Sequence, residues 1–377
     1  MKVLMVSKSA IVAAHHDRLQ ELVKLGVELT LIVPARWGTQ LLETKHSENY
    51  TISVLPCWFT PYNHFHFYPV SIGPIEADLI HLEEEPWSLV TYQFMRQCVK
   101  FRKPVIFNTW QNINKKYPPP FNYFEGFTFR HARACIAGSH EVAEILRSRG
   151  FEKPVLVSGY GVNPSVFFRK EVEPLRQRLR LGDSFVVGFM GRMIADKGIA
   201  DLILAFAQLP ERSVLLLVGE GDFREEARLQ ALRLGLNSRI RWIPQVPSLE
   251  VPDYLSVMDV LVLPSRTTSR WKEQFGRVLI EAMGCQTPPI GSSSGEIPQV
   301  IDDAGLVYPE GDVAELAKKL MALSDNSQVR LSLGHKGRKR VLENFTNSRV
   351  ARRTFDLYRQ VLEDRAAIEP EPAGALQ

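Results

Sequence analysis

The chain has 377 residues, 45% of them hydrophobic and 23% charged, which exceeds one ordinary domain and supplies enough apolar residues for two cores of a soluble protein. Lys and Arg number 46 against 42 Asp and Glu, a formal net charge of +4 with no dominant basic block. That balance argues against nucleic acid as a partner and leaves only a weak attraction to anionic lipid.

Met1 to Ser7 reads as a buried strand, His15 to Leu25 as a helix ended by Gly26, and Val27 to Pro34 as a second strand. This β-α-β opening predicts a parallel sheet covered on both faces. Thr51 to Cys57, Ala77 to Glu83, Pro104 to Trp110, Ala132 to Ser139 and Pro154 to Val162 continue the strands, with helices such as Trp87 to Arg102 and His140 to Arg149 between them. Residues 164–183 are polar and proline-bearing and read as a linker. A second alternation then starts with SFVVGFMGR and runs through helices near Gly198 to Gln208, Phe223 to Leu234, Leu249 to Val257, Gly276 to Met283 and Val313 to Asp325. The expected fold class is α/β: two facing, doubly wound, Rossmann-like domains with a cleft between them. The expected divisions are 1–163, the linker 164–183, 184–347, a helix over 348–365 that crosses back to the first domain, and a disordered tail over 366–377.

The four cysteines, Cys57, Cys98, Cys135 and Cys285, form no CxxC pair, so neither a zinc site nor a disulfide framework is expected, and a reducing cytoplasm fits. The first residues carry no small-residue cleavage pattern and read as a strand, not a signal peptide. No apolar run approaches the roughly 20 residues that span a bilayer.

Two segments carry the chemistry. In GRMIADKG, Gly191 sits where a strand meets a loop, and the loop feeds a helix near Lys197 and Gly198. Arg192 offers a planar fork to phosphate oxygens and Lys197 a point charge, close to the free N–H groups of a helix start. Two preorganised cations suit a departing nucleoside diphosphate. In EQFGRVLIEA, Glu273 precedes a helix and Glu281 lies within it; carboxylates accept paired hydrogen bonds from sugar and ribose hydroxyls. Gly276 permits a close backbone approach. The loops VGEGD, LPSRTTSRWKEQFG and GSSSGEIPQVI all follow strands, and ligands of open α/β sheets lie at strand carboxyl ends. Each segment alone also reads as solvated charge.

The ordered set GR…DKG, VGEGD, LPS, EQFG…EA, SSGEIPQVI and GLVYPEGD, over about Phe185 to Leu323, resembles the donor-binding half of the retaining glycosyltransferases of family 4, the glycosyl transferases group 1, which have the GT-B fold. The resemblance implies a metal-independent enzyme without cofactors that moves a sugar from a nucleoside-diphosphate sugar to a hydroxyl acceptor, such as a saccharide or a lipid-linked precursor in polysaccharide or glycolipid assembly. By position, Arg192 and Lys197 match its diphosphate-binding pair. Glu273 matches the glutamate that contacts the transferred sugar, and Glu281 the one that holds ribose. Phe275, Gly276 and Arg277 match positions whose backbone faces sugar or phosphate. Gly221 falls in a donor-side loop, and Val246 in the stretch that holds the base. The implied location is cytoplasmic, with room for peripheral contact at the inner membrane face.

The first half departs from the family. The loop after its first strand reads SKSAIVAAHH, with no glycine pair; this also argues against a dinucleotide-binding GxGxxG site. Where many relatives place a histidine, counting falls on Glu83 or Glu84, either of which would orient the sugar or relay a proton. Three consecutive acids, Glu83 to Glu85, are not expected to be buried together, because like charges repel. His81 reads as a packed strand residue. The aromatic segments from Cys57 and from Asn108 suit either an acceptor wall or simple packing. These departures keep two other readings open: a degenerate module that binds nucleotide sugar without transfer, and a UDP-sugar epimerase of the same fold.

Overall fold

The computed structural model describes residues 1–43, 49–69 and 76–368. It divides into two compact units, one formed by residues 1–159 with the chain from Asn347 onward, the other by Tyr160–Thr346.

In the first unit the strands Lys2–Val6, Glu28–Pro34, Thr51–Leu55, Leu79–Leu82, Val105–Thr109, Ala134–Ala137 and Val155–Val157 form one sheet. All its pairings are parallel. Counted along the chain, their spatial order is 3-2-1-4-5-6-7. The central strands LIHL, VIFNT and ACIA are buried at every position, as a sheet covered on both faces requires. In the second unit Phe185–Met190, Ser213–Val218, Ile240–Ile243, Val260–Leu263, Pro289–Ser292 and Leu306–Tyr308 form a second all-parallel sheet. Their order is 3-2-1-4-5-6. Both units therefore reverse strand order between their first and fourth strands, the position where open α/β sheets bind ligands.

Three elements differ from the sequence expectation. Residues 164–183 are packed into the second unit instead of linking. The Arg176 guanidinium donates to the carbonyls of Gly182 and Val257, and the Lys170 amide to Ser256 Oγ at 3.2 Å. The last helix runs Asn347–Ile368, longer than expected. It packs on the first unit, where the buried Tyr358 hydroxyl meets His81 Nδ1 at 2.6 Å. The disordered stretch expected over 366–377 lies, from 369 onward, outside the described residues.

An 18-residue helix, Ser327–Asn344, is the third. Its two internal glycines hide it from a propensity argument. They are there for contact: a Cβ on Gly334 would lie 2.4 Å from the Gln286 carbonyl oxygen, and one on Gly337 3.0 Å from Met283 Cγ. Gly334→Ala is therefore expected to destabilise by about 1–3 kcal/mol, because an immovable backbone oxygen is struck. Helix propensity alone would stabilise by about 1 kcal/mol. Gly126→Ala in the helix Phe121–His131, whose nearest neighbour is Arg130 Nη1 at 3.8 Å, is the control expected to stabilise. Urea unfolding of both variants checks the pair.

Candidate active site

The loops at the carboxyl ends of the second sheet carry the residues expected to bind the donor. After Phe185–Met190, the backbone turns through Gly191 into a short helical turn, Ala195–Lys197, and then the helix Ile199–Phe206. Gly198 joins the two at φ 67°, and a Cβ there would stand 1.9 Å from the Pro264 carbonyl oxygen. This contact fixes the Lys197 loop against the loop after Val260–Leu263. Those two loops flank the point where strand order reverses.

Across that junction Lys197 Nζ binds Glu273 Oε2 at 2.6 Å and lies 5.1 Å from the centre of the Trp271 ring. Ser265 Oγ donates to the same carboxylate oxygen at 2.7 Å. Glu273 is 7% exposed, and the desolvation of its charge is offset by these partners. Arg192 is exposed, and its guanidinium has no hydrogen-bond or ion-pair partner among the described residues. The loop thus presents one cation committed to a carboxylate and one uncommitted.

Gly276 adopts φ 77° at the start of the helix Arg277–Gly284, and a Cβ there would strike the Leu263 and Leu279 side chains. Within the helix Arg277 Nε pairs with Glu281 Oε1 at 2.9 Å, and the guanidinium lies 5.9 Å from the Tyr160 ring. Burial pushes the Glu281 carboxyl up, and Arg277 draws it back down. The Phe275 side chain is buried between Tyr160 and Phe345, so only its backbone is available to a ligand. Gly221 follows the second strand of this sheet, with Met193 O 2.3 Å from where its Cβ would be. Val246 follows the third, at the same sheet end, half-buried.

Residues that sequence reasoning did not single out complete the arrangement. Ser265 and Trp271 sit on Lys197 and Glu273, as above. Gly295, at φ 54°, would place a Cβ 1.9 Å from the Glu273 carbonyl oxygen. Arg266 grips Asp201 with Nη2 at 2.7 Å from Oδ1, and its amide donates to Asp196 O at 2.8 Å. The motif LPSR signals the first and last of these only through their proximity to a strand end.

The first unit carries its own cluster at the equivalent sheet end. The acids Glu83, Glu84 and Glu85 are largely buried together, contrary to the expectation from charge repulsion. Each is turned to a separate partner: Glu83 to Arg18, Glu84 to Lys8 and to His66 Nε2 at 3.4 Å, and Glu85 to Thr109 Oγ1 at 2.6 Å and the Trp110 amide at 3.0 Å. Burial raises the carboxyl of Glu83, but Arg18 and His81 outweigh it and hold the group at about 2. Lys8 and His66 likewise outweigh burial at Glu84, leaving it at about 2. Neither acid expected to stand at the histidine position thus holds a proton near neutrality. His81 is a packed residue between Tyr358 and Asn108, with Nε2 2.7 Å from Asn108 Oδ1. The glycine-free loop after the first strand forms two short helical turns, and Ser9 Oγ meets Ser7 Oγ at 2.9 Å.

Glu85 behaves differently. Burial pushes its carboxyl from 4.5 up to about 7, despite Thr109 and the Trp110 amide, which lower it. The folded value lies above the unfolded one, so the group is neutral in both states below pH 4.5. Stability falls by about 3 kcal/mol as pH rises to 7. Glu85→Gln is expected to remove that fall, seen as a flatter denaturation midpoint between pH 4.5 and 7.5.

The aromatic segments divide. Tyr68, Phe121 and Phe124 are buried, while Trp58, Phe59, Tyr62, Phe65 and Tyr123 are more than half exposed. The helix Phe121–His131 takes up the end of the aromatic segment that starts at Asn108. Among the described residues no group of three or more His, Cys, Asp or Glu is placed to hold a metal, and no helix is long and apolar enough to cross a membrane.

Comparison with known proteins fits this geometry. Residues 171–340 match the sequence profile of glycosyl transferases group 1. The chain is 26% identical over 282 residues to the capsular polysaccharide biosynthesis glycosyltransferase CapM of Staphylococcus aureus, covering 70% of this chain and 72% of the relative. Among solved structures it resembles a sucrose-phosphate synthase from Thermosynechococcus elongatus, with TM-score 0.76, 22% identity, 97% of this chain and 100% of that one. Anabaena HepE in complex with UDP and glucose gives TM-score 0.73 at 19% identity, over 96% and 100% of the two chains. The two Rossmann-like domains have the GT-B fold of these structures, and the matched profile and the relatives make the protein a glycosyltransferase. The resemblance to the glycosyl transferases group 1 lies in residues 171–340, within the second unit.

Proposed function

We propose that the protein transfers a sugar from a nucleoside-diphosphate sugar to a hydroxyl acceptor with retention of anomeric configuration and without a metal ion. The observation that carries this reading is the Lys197–Glu273 pair at the point where the second sheet reverses its order, beside the uncommitted Arg192. Arg192 and Lys197 would hold the diphosphate as negative charge develops on it. Glu273 would orient the transferred sugar, and Glu281, set by Arg277, would accept the ribose hydroxyls. The base would lie along the stretch ending at Val246, with Gly191, Gly221 and Gly276 giving the backbone room to approach. The departing phosphate would take the acceptor proton.

The acceptor belongs to the first unit in this reading. Its exposed rings, Trp58, Phe59, Tyr62 and Phe65, suit stacking on a saccharide or the edge of a lipid-linked one. A relative of capsular polysaccharide biosynthesis supports assembly of a polysaccharide precursor.

Thermal-shift screening against a panel of nucleotide sugars tests the donor site. A ligand at a hundredfold excess over its dissociation constant adds about 2.7 kcal/mol. Glu281→Ala is expected to abolish the largest shift while the unliganded midpoint moves little. An undiminished shift in that variant removes the assignment. Proton NMR of the product from the best donor then reads the anomeric outcome: an inverted centre refutes retention. Binding without turnover marks a non-transferring module, and an altered free sugar formed without acceptor marks an epimerase.

A further inference from the structure

At the other end of the first sheet, the amino ends of Val105–Thr109, Ala134–Ala137 and Val155–Val157 border a cavity of about 340 Å3. Its polar lining is Arg102, Lys103, Arg130, His131, Arg133 and Lys153, with no carboxylate among the lining residues.

Cations gather where helices end, because a helix C-terminus carries about half a negative charge. Two helices finish here, Leu89–Lys100 and Phe121–His131, so they offset roughly one positive charge together. Lys153 alone already serves the second: its Nζ donates to the carbonyls of Phe129 at 3.1 Å, Arg130 at 2.6 Å and Ala132 at 2.6 Å. Arg102, Lys103, Arg130 and Arg133 have no ion-pair partner among the described residues and exceed what the helix ends neutralise. Arg102 also holds φ 52°, a backbone region that side chains disfavour. The turn is closed by the Lys103 amide on Cys98 O at 2.9 Å. Three guanidinium forks and an ammonium in one concave, acid-free pocket match the oxygens of a doubly charged phosphate.

We infer that this pocket is an anion site, remote along the sheet from Lys8 and Glu84, that takes a phosphomonoester or diphosphate group. The group comes either from a free phosphorylated small molecule or from a lipid headgroup.

His131 supplies a local readout. Burial, then Arg130 and Lys153, lower its titration, so a bound anion would raise it. The ring signal is assigned by its loss in His131→Gln. Inorganic pyrophosphate titrated into the full chain is expected to move the His131 midpoint upward. Arg102→Ser with Arg133→Ser is expected to abolish that movement and leave the thermal midpoint unchanged. An unmoved midpoint, or one that moves equally in the double variant, overturns the proposal. Cosedimentation separates the sources. Capture by phosphatidylglycerol vesicles but not phosphatidylcholine vesicles, lost in the double variant, supports a headgroup; a pyrophosphate shift without capture supports a free ligand.

Discussion

Lys197→Ala is expected to lower kcat/KM by about 10²–10³, equivalent to roughly 2.7–4 kcal/mol of transition-state stabilisation. In the unliganded protein the ammonium is already held, by Glu273 at 2.6 Å and against the Trp271 ring. A cation fixed by its neighbours loses little freedom on meeting a charged ligand, which is what preorganisation means in energetic terms. The substitution has a second effect, because Glu273, 7% exposed, loses a cation while staying desolvated. The two effects separate in a cycle with Glu273→Gln. If the pair acts as one unit, the double variant is no worse than Lys197→Ala, and the coupling lies in the range of about 0.5–3 kcal/mol. Arg192→Ala, at an exposed and uncommitted cation, is expected to weaken donor binding with no change in the unliganded melting point. Steady-state kinetics and calorimetry of the four variants check this; kcat/KM within threefold of wild type for Lys197→Ala ends the proposed role.

The second sheet was legible because most of its strands are apolar runs, as in FVVGFM, SVLLLV and VLVL. Periodicity locates such strands, and a parallel sheet puts all their loops at one end. The loops of Lys197 and Glu273, 76 positions apart, were thereby expected at one sheet end, though their ion pair, the partner Ser265 and the Gly295 contact depend on side-chain packing that a linear pattern does not encode. The first unit was less legible at its acids. Repulsion between Glu83, Glu84 and Glu85 is the right physics for an isolated run, but it omits cations brought from Lys8 and Arg18 on other elements. The helix Ser327–Asn344 was hidden for the converse reason: Gly334 lowers local propensity in exchange for a tertiary contact with Gln286.

Lys8→Ala is expected to destabilise the protein by about 3–5 kcal/mol at pH 7, the usual cost of removing one partner from a buried pair. The Glu84 side chain is 1% exposed, and Lys8 binds it twice, through Nζ and through its amide at 2.9 Å from Oε1. The amide contact survives in the variant, but the charge has no compensation from the ammonium. The pH dependence identifies the cause. In the native protein the folded carboxyl, at about 2, lies below its ordinary 4.5. The pair therefore contributes stability above pH 4.5 that is lost as pH falls toward 2. Without the ammonium the buried carboxylate, left with the amide and His66, is relieved by protonation, so the deficit of the variant should shrink as the solution is acidified. Adding Glu84→Gln should recover part of the loss at pH 7, since an amide carries no charge to desolvate. Chemical denaturation at pH 4 and 7 reads both variants beside the native protein. A deficit independent of pH and unrelieved by Glu84→Gln would mean that Lys8 acts through its stem over Trp37, whose ring centre is 5.6 Å from Nζ. A full recovery of stability with loss of transfer would instead bring Glu84 back as a group needed by the reaction, acting through its charge and not as a proton carrier.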